Sequence, residues 1–345
     1  MIFSKTISEI LSSIFFFLFL FFLNFILKKN NFIIDSISSS KHKISTIKTP
    51  LSGGIFFFFS FIFIDIFYEL TNLNYYLFLF IFTFLGFLGD NKSLNSPKVR
   101  FFFQLVITIV FAEITNLYLD NSGIVFLDKL LTNNLFNTFF LTLCFMVLLN
   151  GTNFSDGLNG FVTTYYILII ISIISLSQLM NSNLTNINHF KLYLSPMLCF
   201  LLLNLFNKNF LGDSGTYFLS IFFGLNLIFF INDNYNQVSP FFIVNLLWYP
   251  CFEILFTIIR RINFNEKIYL SDKKHLHTLI FNHIQKKGKK NISNPIANSF
   301  SSLILIIYLI PMFCFSVLFY NNPVKLLTCL LIYIISYIYI YFRLK

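Results

Sequence analysis

Residues Leu135–Met180 read LFNTFFLTLCFMVLLN, GTNFSDGLNG, FVTTYYILIIISIISLSQLM. Two apolar runs, 135–149 and 161–180, enclose a polar island in which three Asn and three Gly surround Thr152, Ser155 and Asp156. A bilayer-crossing helix needs roughly 20 predominantly apolar residues. The two runs therefore read as neighbouring spans, and the island as a short loop at one membrane surface.

Moving outward from this stretch, apolar runs between polar breaks recur at 10–27, 52–68, 75–89, 101–119, 192–206, 217–231, 241–259, 300–319 and 325–342. Soluble domains average roughly 45–50% apolar and about 25% charged residues. Here 57% are apolar and 11% charged over 345 residues, with a mean hydropathy of +0.76. These values exclude a soluble globular, disordered or nucleic-acid-binding protein. The expected fold is all-α: a polytopic integral membrane protein of about eleven transmembrane helices, residues 1–345 forming one membrane-embedded domain. The run Ile10–Leu27 has no small-x-small cleavage site and more spans follow it, so it reads as the first span and not as a signal peptide. Five cysteines, Cys144, Cys199, Cys251, Cys314 and Cys329, all lie in apolar runs without a Cys-x-x-Cys pair. They read as small buried hydrophobes, not as a disulfide or zinc framework. The 52 Phe residues are a compositional drift of the whole chain and carry no ligand information.

Orientation follows from Lys and Arg, which gather on the cytoplasmic side of short loops. The segments 28–51, 90–100, 150–160, 207–216, 260–299 and 343–345 hold 20 of the 24 Lys and Arg, leaving Lys5, Lys129, Lys191 and Lys325 opposite. The N-terminus is expected outside and the C-terminus in the cytoplasm. The net charge of +10 is thus a topology signal, with no nucleic-acid partner implied.

Four polar clusters fall on that same cytoplasmic side: Gly89-Asp90-Asn91, Asn150–Gly160, Leu211–Gly215 and Asp272–His277. Asp90, Asp156 and Asp213 each sit where a span meets the surface, beside Gly or Asn. Carboxylates so placed hold Mg²⁺ together with waters and substrate phosphates. The Gly-rich stretches before 161 and 217 open helices whose N-termini favour anions. The combined reading is a phosphate-plus-Mg²⁺ site at the membrane surface. Each piece alone has a plainer explanation: Asp-Gly and Asp-Ser-Gly are common helix starts. Asp272 would then only begin an interfacial helix through Leu276, Leu279, Ile280 and Ile284. His42, His189 and His283 read as solvated, Lys286–Lys290 as an anionic-lipid contact, and Asp65 and Glu113 as packing or polar pairing in the outer half of the spans.

In order and spacing, these clusters resemble the polyprenyl-phosphate N-acetylhexosamine-1-phosphate transferases, which start O-antigen, enterobacterial common antigen and teichoic acid synthesis. The peptidoglycan enzyme phospho-N-acetylmuramoyl-pentapeptide transferase is a more distant relative of that family. Thr49-Pro50 with Gly53-Gly54 resembles T-P-x-x-G-G. Gly89-Asp90-Asn91 followed by Leu94, Pro97, Arg100 and Gln104 resembles G-D-D…L-x-P-x-x-K/R-x-x-x-Q. The island 150–160 is similar to N-x-x-N-x-x-D-G-x-D-G, and 210–216 to F-x-G-D-S-G-S/T. Pro250, Phe252 and Glu253 with Arg260-Arg261 resemble P-x-F-D…R-R, and Asp272–Thr278 resembles D-R-x-H-x-H-H.

The resemblance implies that a polyprenyl phosphate attacks the β-phosphate of a UDP-N-acetylhexosamine at the cytoplasmic face of the inner (plasma) membrane. The products would be the lipid diphospho-sugar and UMP. By matching position it implies Asp213, with Asp156, as ligands to Mg²⁺ (or Mn²⁺), and Asp90 at the lipid phosphate. Asp156 would act at the diphosphate. Asn153, Asn159, Asn204 and Arg100 would hold the nucleotide-sugar, and His275 and His277 the phosphate or sugar. The partners implied are the UDP-sugar, polyprenyl phosphate and the lipid bilayer; a homodimer is one oligomeric arrangement open to such a chain. Departures from the pattern are Asn91 and Asn159 for Asp, Glu253 for Asp, Lys273 for Arg, Thr278 for His, and Asn204 one residue closer to Asp213. A catalytically impaired homologue and a membrane transporter are the alternative readings. Transporters place ionisable residues at broken helices near the midplane, whereas here the polar motifs lie at span ends.

Overall fold

Peptide groups in an apolar run are most simply satisfied within the run itself, and all eleven apolar segments are helical in the computed structural model of the chain. It describes residues 2–35, 48–68, 73–180, 187–267, 272, 274–287 and 294–345. In chain order these form α1 (Ile2–Lys29), β1 (Ile34–Asp35), β2 (Thr49–Pro50), α2 (Gly53–Tyr68), α3 (Leu73–Asp90) and α4 (Pro97–Ile114). Next come α5 (Val125–Leu131), α6 (Asn134–Ser155), α7 (Phe161–Met180), α8 (Ile187–Leu205) and α9 (Gly212–Asn234). The chain ends with α10 (Pro240–Asn263), α11 (Leu276–Lys287), α12 (Asn294–Leu318) and α13 (Pro323–Leu344). Of the expectations above, those on His42, Lys273, Lys289 and Lys290 lie outside the described residues, as do the side chains of His189 and Lys287.

The helix α9 is apolar on every side and occupies the centre, as such a helix must. Its residues from Ser214 to Leu225 are buried without a break, with α2, α3 and α6 packed around it. By contrast α1 and α13 present Phe21, Phe22, Ile332 and Ile335 outward. Seven of the described helices are long and apolar enough to cross a membrane: α1 from Leu11, α6, α7, α9, α10, α12 and α13. Shorter apolar helices are Gly53–Tyr68, Tyr75–Asp90 and Phe190–Leu205. The chain is a polytopic, helical membrane protein.

Contacts sort the helix termini into two ends. At one, the end of α3 meets the start of α9, the end of α6 meets the same start, and the end of α8 meets the start of α7. The hairpin joins them there: β1 and β2 pair antiparallel, and the Phe210 N–H donates to the Pro50 carbonyl at 2.9 Å. At the other end Leu119 bonds Asn137, Asp120 bonds Asn232 and Ser239 bonds Tyr320.

Two local features depart from the pattern of apolar runs. The helix α6 continues through the polar island as far as Ser155. Asn150 and Ser155 donate to the carbonyls of Met146 and Gly151, four residues back, at 2.9 and 2.8 Å, so the polar side chains are served by the helix they sit on. The helix α5 arises in a segment too short and mixed to register as a span. In α10, Pro250 lacks the N–H that the Leu246 carbonyl would otherwise accept; the Tyr165 hydroxyl of α7 donates to that carbonyl instead, at 2.5 Å.

Candidate functional site

The polar end of α9 organises the site. Gly212 has φ +74°, the left-handed conformation that glycine adopts without strain, and it turns the chain into α9. The first N–H groups of a helix need outside acceptors. Here Asp90, at the end of α3, supplies them: Oδ1 accepts the Asp213 N–H at 2.7 Å, and Oδ2 accepts the Ser214 N–H and hydroxyl at 3.0 and 2.6 Å. The start of α7 is met in the same way, since the Asn204 side-chain oxygen accepts the Gly160 N–H at 2.5 Å. Protein oxygens thus occupy N–H groups that sequence reasoning left open for an anion.

Asp213 projects from the first turn of α9 and is held on both oxygens. Arg100, on α4, forms an ion pair with Oδ2, and the Asn153 amide of α6 donates to Oδ1 at 2.8 Å. Asn153 also donates to Thr216 at 3.2 Å. Asp156 follows the last turn of α6. It is solvent-exposed, and its side chain makes no hydrogen bond or ion pair among the described residues. Desolvation by the protein around the carboxyl is the first cause raising its pKa. Repulsion from Asp213, then Asp90, adds to this and takes the carboxyl to about 8. Three acids on three helices thus share one electrostatic neighbourhood, and only Asp156 lacks a protein partner.

A second cluster adjoins the first. His275 and His277, at the start of α11, stack in parallel with ring centroids 5.4 Å apart. His275 packs on Phe154, and its Nδ1 lies 3.0 Å from Glu253 Oε1. The Nε2 edge of His277 presses on Gly157, where a Cβ would come within 2.0 Å. His277 is buried, and among the described residues its Nδ1 has no partner. Burial first, then the neighbouring His275, pushes its pKa down to about 4, so it is neutral at pH 7. Asp272 is ion-paired with Arg260 and Arg261. Burial opposes its charge, but the Lys274 N–H at 2.9 Å, His275 and Arg260 outweigh it and hold its pKa below the usual carboxylate value.

The structure therefore brings Asp90, Arg100, Asn153, Asp156 and Asp213 to one place and sets His275 and His277 against its edge. It does not bring Asn204 and Asn159 there as free groups. Asn204 is buried, with its amide donating to the Asn209 carbonyl at 2.7 Å. Asn159 donates to Asn207, and its N–H goes to Asn298 at 2.7 Å. Asn91 is exposed beside Ser93. Outside the site, Asp65 accepts the Tyr193 hydroxyl, in keeping with the polar pairing expected of it. Sequence reasoning gave no site role to Thr216, Asn298 or Tyr337, although Thr216 belongs to a quoted motif.

Among the described residues no group of three or more His, Cys, Asp and Glu side chains is placed to hold a metal ion. The donor set does fit Mg²⁺, which keeps several waters and takes one or two carboxylates plus substrate phosphates. Asp156 is unpaired, and the partly exposed Asp213 retains a second lone pair on each oxygen.

Comparison with known proteins matches residues 72–231 to the model of Glycosyl transferase family 4, a span that contains Asp90, Arg100, Asn153, Asp156 and Asp213. This stretch of the chain is similar to that family. The chain is similar to a probable undecaprenyl-phosphate N-acetylglucosaminyl 1-phosphate transferase of Bacillus subtilis, 30% identical over 198 residues, 56% of this chain and 53% of that protein. It is also similar to an undecaprenyl-phosphate alpha-N-acetylglucosaminyl 1-phosphate transferase of Escherichia coli, 27% identical over 291 residues, 80% of this chain and 76% of that protein. The chain thus spans about half the length of the first relative and three quarters of the second. The family-4 match ends at residue 231, so the histidine cluster is attached to the site by the structure, not by that model.

Proposed function

We propose that this chain transfers N-acetylhexosamine 1-phosphate from a UDP-sugar to polyprenyl phosphate, at the cytoplasmic face of the inner (plasma) membrane. A lipid phosphate oxygen attacks the β-phosphorus, the bond from that phosphorus to the bridging oxygen breaks, and UMP leaves with the bonding electrons. The observation that carries this reading is the unpartnered Asp156 carboxylate beside Asp213 and Asp90, within the region shared with the family. Phosphoryl transfer rests on positioning and charge neutralisation, and a cluster of acids at a helix-bundle end suits a diphosphate that arrives with a cation. Mg²⁺, held by Asp156 and Asp213, would supply that neutralising charge when bound. Asp90 keeps Asp213 in place through its backbone, Arg100 and Asn153 orient its carboxylate, and His277 meets the substrate as a neutral ring.

The placement takes the apolar helices as eleven crossings, with α5 and α11 outside the spans. Alternating them from an external N-terminus would put the ends of α3, α6, α8, α10 and α13 on one side; in support, contacts gather the ends of α3, α6 and α8, and Lys345 lies 4.6 Å from the Phe264 ring beyond α10. That side carries the excess of Lys and Arg.

The test is UMP release by purified protein from UDP-N-acetylglucosamine and a panel of other UDP-amino sugars. Release should require both undecaprenyl phosphate and Mg²⁺. UMP formed without the lipid, or no UMP from any donor, would overturn the proposal.

A further inference from the structure

Glu253 lies within α10, fully buried, at the position where the family pattern has the shorter aspartate. Both of its oxygens are used. Oε1 faces His275 Nδ1 at 3.0 Å, and Oε2 accepts the hydroxyl of Tyr337 at 2.6 Å. Thr257 stands 3.5 Å from the same imidazole nitrogen. Tyr337 belongs to α13, the last helix, which otherwise faces outward and buries only Leu326, Cys329, Tyr337 and Tyr341. Trp248, Tyr249, Phe252 and Phe256 pack around the Tyr337 ring, so its hydroxyl is aimed rather than free to turn.

An ionised carboxylate only accepts hydrogen bonds. The nitrogen of His275 that faces Glu253 must therefore carry the proton, which leaves Nε2 as the nitrogen available to a ligand. Which ring nitrogen acts is set by the partner of the other. A buried carboxylate with one oxygen unserved carries a desolvation cost and gains by turning toward whatever donor it can reach.

We infer that Tyr337 is a positioning residue: by holding Glu253 against His275 Nδ1 it presents His275 Nε2 to the phosphate or sugar of the donor substrate. The extra methylene of Glu253, relative to aspartate, is what lets one carboxylate span α11 and α13 together. The last helix therefore has a share in the reaction although none of the acids of the site belongs to it.

This inference rests on the transferase reading for its kinetic half, and its structural half is measured separately. The first experiment is ¹⁵N NMR of the full-length, histidine-labelled chain in detergent, at alkaline pH where free imidazole is neutral. The His275 signal is assigned by its loss in His275→Gln. A proton on Nδ1 is expected, whether or not Nε2 carries one too; a bare Nδ1 overturns the inference and needs no variant. The second experiment is Tyr337→Phe. The proton should shift toward Nε2, and kcat/KM for UDP-N-acetylglucosamine should fall about tenfold, as when an outer partner of a working histidine is removed. If either quantity stays at its wild-type value in folded Tyr337→Phe, the inference fails. Should that variant not fold, Glu253→Gln read by the same two measurements decides. Wild-type protein that releases no UMP would sink the transferase reading while leaving the imidazole measurement intact.

Discussion

Asp90 and Asp213 are 123 residues apart in the chain, and the carboxylate of the first accepts the backbone N–H of the second at 2.7 Å. One acid of the site thus holds another by its main chain. The hydrogen bonds to Ser214 make Asp90 the N-cap that α9 lacks in its own sequence, since the residue before Gly212 is Leu211.

Replacing that cap should cost stability as well as activity. Asp90→Ala is expected to lower unfolding free energy by about 1–2 kcal/mol, the usual loss for an N-cap, with Asp90→Asn in between because it keeps one acceptor. Denaturant unfolding in detergent checks this. A variant as stable as wild type would mean that α9 does not depend on Asp90.

Asp156 should behave in the opposite way. It has no partner to lose, and repulsion from Asp213 and Asp90 burdens it. Asp156→Asn is expected to leave Tm unchanged or raise it, while UMP release falls roughly 10²–10³-fold, the scale for removing one electrostatic group from an active site. Tm and turnover measured on the same preparation separate the two effects.

Two shifts of opposite sign outside the spans contribute to the pH dependence of stability. His277, with its pKa lowered to about 4, favours folding while neutral and loses that contribution as pH falls from about 6.5. Asp156, with its pKa raised toward about 8, contributes fully below the unfolded carboxylate pKa. Its contribution is progressively lost as pH rises through the folded value, because the unfolded chain then binds fewer protons. Above about pH 6.5 the Asp156 slope stands alone of the two. Tm measured with a chelator should decline from there toward pH 8, and Mg²⁺ should flatten the decline. An identical slope with and without Mg²⁺ would count against Asp156 as a ligand.

A further test lies away from the site. Tyr165→Phe leaves the Leu246 carbonyl without the donor that Pro250 has already removed, and should destabilise the chain by about 1–2 kcal/mol. In the background of Pro250→Ala, which restores the helical N–H, the same change should cost clearly less. Equal costs in the two backgrounds would show that the hydroxyl does not serve that carbonyl. A double-mutant cycle reads the difference.

Hydropathy located every long helix, because burial in an apolar medium forces each run to satisfy its own peptide groups. It missed the continuation of α6 through Asn150–Ser155, since an island of polar residues resembles a loop until their side chains are seen to bond helical carbonyls. Motif spacing foresaw that Asp90, Asn153, Asp156 and Asp213 would meet. It had no means of telling that Asn204 serves Gly160 and Asn209 internally, because an asparagine that braces a turn and one that binds a sugar are the same residue in a string.

By itself, then, the sequence determined that this chain is a helical membrane protein, which family its residues 72–231 resemble, and which acids gather at one end. These follow from local composition and from residue types at fixed spacing. Only the tertiary structure decided how each acid is employed: Asp90 on a helix start, Asp213 between Arg100 and Asn153, Asp156 unpaired, and Glu253 between His275 and Tyr337. The reason is physical. A carboxylate's behaviour depends on the donors and charges within a few ångströms of it, and those arrive from segments far away along the chain.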